Sequence, residues 1–153
     1  VVDPTACAVY TGDCFGISYR ELDTAAGPFI FPTTTPVQFD PEEAHKTLHR
    51  LLSYKPERAF LTHFSCVHAP AALAPQLHRD LEEYVRIAEA CRDAPDPESA
   101  IRAGLREWTF ARLDAHGVDP DPGFRDEVLA MDLTLNAQGL AFWLAQQPGE
   151  AKA

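Results

Sequence analysis

Two side chains in this sequence are of types that bind metal ions. Asp13 follows Gly12, and His63 comes fifty residues later (63 − 13), after Thr62. A carboxylate can bridge two cations, and a neutral imidazole is the commonest protein metal ligand. Gly12 would let the backbone approach such ions closely. Taken singly, each residue also fits a commoner role, since Gly-Asp is typical of a turn and a histidine after a strand is often only hydrogen-bonded.

The segments that lead into these two residues predict β-strands. Residues 7–11 and 58–62 are short runs rich in apolar, β-branched and aromatic side chains, which is typical of buried strands. Between them, Asp40-Pro41 predicts a helix start, and this helix should run to about Ser53. The order strand, helix, strand indicates an α/β arrangement. In such sheets ligands collect beyond the carboxyl ends of strands, so Asp13 and His63 could converge there.

The remainder of the chain predicts a long loop followed by helices. Residues 14–39 have no helical period and contain several Gly and Pro, which is typical of a functional loop. Apolar residues at helical spacing begin near Leu77, and Asp96-Pro97 and Asp121-Pro122 predict two more helix starts. The last helix carries apolar side chains at helical spacing, namely Phe124, Val128, Met131 and Leu135. We expect an α/β part over residues 1–75, a helical extension packed on it over 76–147, and a disordered tail over 148–153.

Composition excludes several classes of protein. The 153 residues are 46% hydrophobic and 24% charged, as in an ordinary globular domain. The formal net charge of −10 argues against a nucleic-acid partner. The sequence contains no run of about 20 uninterrupted apolar residues, so we expect no membrane span. The four cysteines have no CxxC spacing, which favours reduced thiols and a cytoplasmic location.

Three residues are candidates for contacts with a substrate. Tyr19 and Arg20 lie in the loop after Asp13, where they could line a pocket and contact an anionic or carbonyl group. His68 lies five residues beyond His63 in a predicted loop and could contact substrate, although an exposed loop histidine is the commoner case.

Four other residues are assigned structural roles. Cys14 and Cys66 lie beside the two candidate ligands and could approach a metal, but buried inert thiols are the favoured interpretation. His45 and His49 form an i, i+4 pair that could bind metal on a helix. Their neighbours show no acidic partner pattern, so a solvated helix face is favoured.

Several segments of the sequence together resemble a known family. These segments are, in order, VYTGDCFG at residues 9–16, FPTTTP at 31–36, FDP at 39–41 and AFLTHF at 59–64. Together they resemble the C-terminal half of a metallo-β-lactamase-fold hydrolase, and residues 131–144 are similar to the helical C-terminal extension of a bacterial subgroup. The resemblance implies the C-terminal half of an αββα sandwich followed by an all-helical extension. It also implies that Asp13 is shared by two metal ions and that His63 is the last histidine ligand.

The sequence departs from this family in lacking the HxHxDH motif and the histidine upstream of the TGD strand. The resemblance therefore implies that the missing ligands belong to an N-terminal half of about equal size, encoded upstream of Val1. Without it, the chain should expose a sheet face and should be inactive. Two divalent metal ions are expected, with zinc as the default and with iron or manganese suited to the same ligands.

The function implied is hydrolysis of a small-molecule ester, thioester or lactone at a dinuclear centre. The catalytic group would be metal-activated water, and the general acid or base would come from the N-terminal half. Two alternatives remain open: a non-hydrolytic di-iron protein that senses or reduces oxygen, and a metal-free interaction module. The helices either cap the pocket or form a homodimer contact, and the sequence identifies no particular substrate.

Overall fold

A computed structural model describes residues 1–34, 39–63, 66–119 and 121–147. Over these residues the chain forms a four-stranded mixed sheet and four α-helices, so the predicted α/β class is confirmed. The tail predicted at 148–153 lies outside the described residues, as do parts of the FPTTTP and AFLTHF segments.

The sheet has the order β1-β2-β3-β4, and its strands are β1 (Val2–Asp3), β2 (Ala8–Gly12), β3 (Arg58–Leu61) and β4 (Cys66–His68). The two central strands, β2 and β3, run parallel, while β1 and β4 pair antiparallel at the edges. Both predicted strands are therefore present and adjacent. β4 was not predicted, because three residues are too few to show an alternating pattern.

The helices are α1 (Pro41–Ser53), α2 (Pro70–Ala90), α3 (Pro97–His116) and α4 (Pro122–Gln146). The starts of α1, α3 and α4 agree with the prediction. At each of these starts an Asp side chain accepts a hydrogen bond from the backbone N–H three residues later, and the capping residues are Asp40, Asp96 and Asp121. α2 begins seven residues before Leu77 (77 − 70), earlier than the apolar spacing indicated.

The described residues bury two hydrophobic clusters. One lies between the sheet, α1 and the first half of α2, and it includes Val9, Leu48 and Leu77. The other lies among the second half of α2, α3 and α4. α2 contributes to both clusters, so the boundary expected between residues 75 and 76 falls inside a continuous helix.

The long loop after β2 is part of the second cluster rather than a surface connection. Its side chains Ile17, Leu22, Phe29 and Phe31 are buried against the helices. Arg112 of α3 contributes to this packing, because its guanidinium lies 4.5 Å from the Phe29 ring centroid. The loop after β2 therefore packs against the helical part of the chain.

The apolar spacing noted for the last helix does not identify the buried face of α4. Met131 is 69% exposed and Leu135 is 37% exposed, whereas residues on the opposite face, Leu129 and Leu133, are buried. Nearly every face of this helix is apolar, so periodicity could not identify the packed one. By length and composition α4 could cross a membrane, but 44% of that segment is buried within the protein.

Candidate metal centre

The candidate site lies at the carboxyl ends of β2 and β3. Because these strands are parallel neighbours, with Gly12 opposite Leu61, the residues that follow them leave the sheet at the same edge. The register shifts between Tyr10 and Gly12, and Gly12 has a φ of 58°. Glycine adopts this left-handed conformation without the steric penalty of a Cβ. Gly12 thus allows the chain to turn directly from the strand into the 3₁₀ helix Asp13–Phe15.

Asp13 and His63, fifty residues apart in sequence, meet at this edge. The His63 Nε2 atom lies 3.5 Å from Asp13 Oδ1, and the two side chains are 53% and 46% exposed. This separation is longer than a typical N–H···O hydrogen bond of about 2.7–3.2 Å. Two ligands of a tetrahedral zinc ion, each about 2.0–2.1 Å from the metal, are about 3.3 Å apart. The geometry therefore suits two donors to one cation, with room on the solvent side for further ligands.

Asp132 of α4 lies near His63 and was missed by sequence reasoning. Its carboxylate is buried, and it accepts a 2.7 Å hydrogen bond from the Tyr19 hydroxyl. Burial raises the pKa of Asp132, while the Tyr19 hydrogen bond and the charge of nearby His63 act in the opposite direction. Burial, together with this hydrogen bond, also raises the pKa of Tyr19, so its hydroxyl remains a donor. The only available signal was an Asp between apolar residues, Met131 and Leu133, in α4.

Asp13 and His63 have the right donor chemistry but do not form a complete centre. Among residues 1–34, 39–63, 66–119 and 121–147, no group of three or more His, Cys, Asp and Glu side chains could hold a metal ion. An imidazole with a carboxylate suits zinc, and the same pair suits iron or manganese. These two residues therefore have the donor types of part of a metal site, but not of a whole one.

Arg20 and the two cysteines are not assembled with Asp13 and His63 into a ligand cluster. The Arg20 guanidinium lies 3.1 Å from Asp23 and donates to the Ser18 carbonyl. Cys14 is exposed and Cys66 is half-buried, and both are free thiols. The prediction of buried thiols is therefore wrong for Cys14, because the 3₁₀ helix that starts at Asp13 directs it to the surface.

His68 lies on β4 rather than in a loop, and it is exposed. Its partner across the sheet is Arg58, the first residue of β3, whereas His63 lies two residues beyond Leu61, the last residue of that strand. At about 3.3 Å per residue, the length of β3 separates the two histidines. The loop placement is thus corrected, and His68 lies at the other end of the sheet from the candidate centre.

His45 and His49 do not form a simple solvated face, because His78 of α2 packs against both. The Nδ1 atoms of His45 and His78 are 2.6 Å apart, and the ring centroids of His49 and His78 are 4.7 Å apart. Burial lowers the pKa of His78, and the nearby His45 and His49 lower it further. The sequence spacing identified the pair on α1 but gave no indication of the third histidine.

A cavity of about 270 Å³ adjoins the site, between the 3₁₀ helix, α1 and α2; we call it the α1–α2 cavity. Asp13 and Cys14 line one part of it, and its other walls include Leu48 and Leu77. Tyr19, Arg20 and His68 do not line it.

Comparisons with known proteins identify no relative of this chain. No family model, no curated protein and no solved structure matches it.

Proposed function

We propose that this chain supplies two ligands, Asp13 and His63, to a dinuclear metal centre in a hydrolase that cleaves an ester, thioester or lactone. The observation that carries the proposal is the 3.5 Å separation of His63 Nε2 and Asp13 Oδ1 at the ends of adjacent parallel strands. If β2 or β3 ended one residue earlier or later, the two side chains would no longer meet. The resemblance of the TGD and THF segments to the metallo-β-lactamase fold supports the same assignment.

We further propose that the sheet is half of an αββα sandwich, completed by an N-terminal segment that carries HxHxDH. Val9 and Ala59 point towards α1 and are buried, so the alternation of side chains along a strand puts Tyr10 and Phe60 on the other face. These two rings stack with centroids 4.9 Å apart, and Tyr10 is 48% exposed. An aromatic pair on a sheet face against which none of the described helices packs is suited to cover by a second sheet.

Five residues of this chain have a defined part in the proposed chemistry. Divalent ions, when bound, supply Lewis acidity to a substrate carbonyl and to water. The Asp13 carboxylate contributes negative charge and can bridge two ions, while His63 donates a neutral nitrogen. Gly12 sets the turn that brings Asp13 to the strand edge. The Tyr19–Asp132 hydrogen bond holds α4 beside His63, which is the arrangement expected of a helix that covers the site.

The test is metal analysis and ester turnover on the gene product that includes the HxHxDH segment. We expect bound zinc and hydrolysis of p-nitrophenyl esters in the wild type. Asp13→Asn and His63→Gln should each lower metal affinity and turnover by about 100-fold or more, because outer-shell changes alone cost about 10–100-fold.

The matched control is His49→Gln, which alters a histidine of α1 and should leave both measurements unchanged. Unchanged metal content and turnover in both ligand variants would reject the proposal. Coloured iron with redox activity, and no ester turnover, would instead indicate the di-iron alternative.

A further inference from the structure

We infer that the α1–α2 cavity binds the aliphatic part of the substrate, so that the favoured substrates carry a neutral, unbranched acyl chain. The assignment of that ligand as a substrate rests on the proposed function. The binding of an aliphatic chain in the cavity does not, and it can be measured separately.

The walls of the cavity are largely apolar. Leu48 of α1 and Leu77 and Leu81 of α2 are buried and line it, together with Phe39 and Ala44. Its volume of about 270 Å³ lies just below the range of about 300–1,000 Å³ typical of small-molecule sites. A single aliphatic chain therefore fits this space better than a large ring system.

Three of the polar side chains that line the cavity already have partners within the protein. The Thr34 hydroxyl donates to the Asn136 carbonyl at 2.8 Å. The Asp40 carboxylate accepts from the Glu43 backbone N–H at 3.0 Å as the cap of α1. Glu43 in turn lies 2.7 Å from the Lys46 ammonium group. A ligand in the cavity would thus gain mainly apolar contacts.

Charge restricts the ligand further. Asp40 and Glu43 line the cavity from the start of α1, and Asp13 lines it from the strand edge. No basic side chain is among the described residues that line it. Three carboxylates around an apolar space disfavour a ligand with a second anionic group. Acyl groups that end in a carboxylate or phosphate are therefore disfavoured, and neutral chains are favoured.

Asp13 connects the cavity to the candidate metal centre. The same residue lines the cavity and lies 3.5 Å from His63. A carbonyl group held beside Asp13 and His63 could therefore extend its acyl chain between Leu48 and Leu77. The length of that acyl chain, rather than the alcohol or thiol that is released, would determine substrate selectivity at this part of the site.

The experiment measures the binding of primary alcohols to the 153-residue chain. 1-Butanol to 1-octanol are titrated while the leucine methyl signals of Leu48, Leu77 and Leu81 are followed by NMR. We expect saturable shifts at these methyls, and a dissociation constant that falls about fourfold per added methylene until the cavity is filled. Ala44→Phe should raise the dissociation constant of 1-octanol by about tenfold or more, because the ring occupies the space.

The controls separate the cavity from the fold and from the metal centre. Ala103→Phe places the same ring on the exposed face of α3 and should not change binding. Thr47→Phe provides a second filling variant if Ala44→Phe fails to fold, as judged by circular dichroism. His63→Ala should preserve octanol binding even where metal binding is lost, so failure of the proposed function is distinguishable from failure of this inference.

Three results would overturn the inference. The first is a dissociation constant independent of alcohol length, and the second is unchanged binding in a folded filling variant. The third is binding of octanedioate, which has carboxylates at both ends, as tight as that of 1-octanol.

Discussion

Asp132 shows how one residue can link the helical part of the chain to the strand edge. It lies on α4, it is only 7% exposed, and it accepts a hydrogen bond from Tyr19, which lies 113 residues earlier. A buried carboxylate is costly unless it is hydrogen-bonded. The Tyr19 hydrogen bond offsets part of this cost, so a residue near His63 depends on the loop after Asp13.

Loss of the Tyr19 hydroxyl should destabilise the protein measurably. Tyr19→Phe keeps the ring but leaves the buried Asp132 carboxylate without this donor, so the free energy of unfolding should fall by about 1–3 kcal/mol. Urea denaturation measures the change. Tyr54→Phe, which removes the hydroxyl of an exposed tyrosine at the end of α1, is the matched control and should have little effect.

A double-mutant cycle tests whether the effect belongs to this hydrogen bond. In an Asp132→Asn background the effect of Tyr19→Phe should be clearly smaller, because the buried charge is no longer present. Equal effects in both backgrounds would show that the two side chains are not coupled.

At the scale of elements, local signals in the sequence account for most of what could be predicted. Asp-Pro pairs identify the starts of α1, α3 and α4, because capping and the fixed φ of proline act within one turn. Apolar runs identify β2 and β3. The run at 58–62 also places His63 close to the carboxyl end of β3, which ends at Leu61.

The features that sequence reasoning missed depend on contacts between distant elements. The third histidine, His78, meets His45 only because α2 packs on α1. Asp132 reaches the site only because α4 folds back over the loop that contains Tyr19. Neither contact leaves a periodic or local signal, and no spacing along one helix could indicate it.

Gly104 fixes how closely α3 approaches α2, and this gives a prediction for a single methyl group. A Cβ at position 104 would lie 2.7 Å from Ile87 Cγ2. Alanine favours the helix by about 1 kcal/mol, but overpacking against a buried, β-branched side chain costs about 1–3 kcal/mol. Gly104→Ala should therefore lower the free energy of unfolding by about 1 kcal/mol in urea denaturation.

The control removes the side chain that would clash. In an Ile87→Ala background the same substitution at Gly104 should become stabilising, because the helix-propensity gain remains and the overpacking does not. A stabilising effect of Gly104→Ala in the wild-type background would contradict the assigned close approach.

The whole molecule depends on α2, which is the element common to both buried clusters. Its first half packs against the sheet and α1, and its second half packs against α3 and α4. Asp80, near the middle of α2, forms a buried ion pair with Arg112 of α3. Because the two clusters share one continuous helix, we expect them to unfold together, so a titrating group on α2 affects the stability of the whole chain.

His78 is such a group, and its lowered pKa predicts that the protein loses stability as the pH falls. Burial, His45 and His49 lower the pKa of His78 in the folded protein, and Glu82 partly opposes them. An unfolded histidine has a pKa of about 6.5, so below that pH the unfolded chain binds more protons than the folded one. Stability from His78 is therefore fully present above about pH 6.5 and is lost as the pH falls towards its lowered pKa.

Urea denaturation of the wild type and His78→Gln between about pH 6 and pH 7.5 measures this contribution. Asp80 titrates with the opposite sign, because burial raises its pKa to about 6, so the difference between the two proteins is the quantity that isolates His78. The fall in the denaturation midpoint on lowering the pH should be smaller in His78→Gln, whereas His68→Gln, at an exposed position on β4, should follow the wild type. Parallel pH profiles for wild type and His78→Gln would show that the histidine contact between α1 and α2 does not control the response.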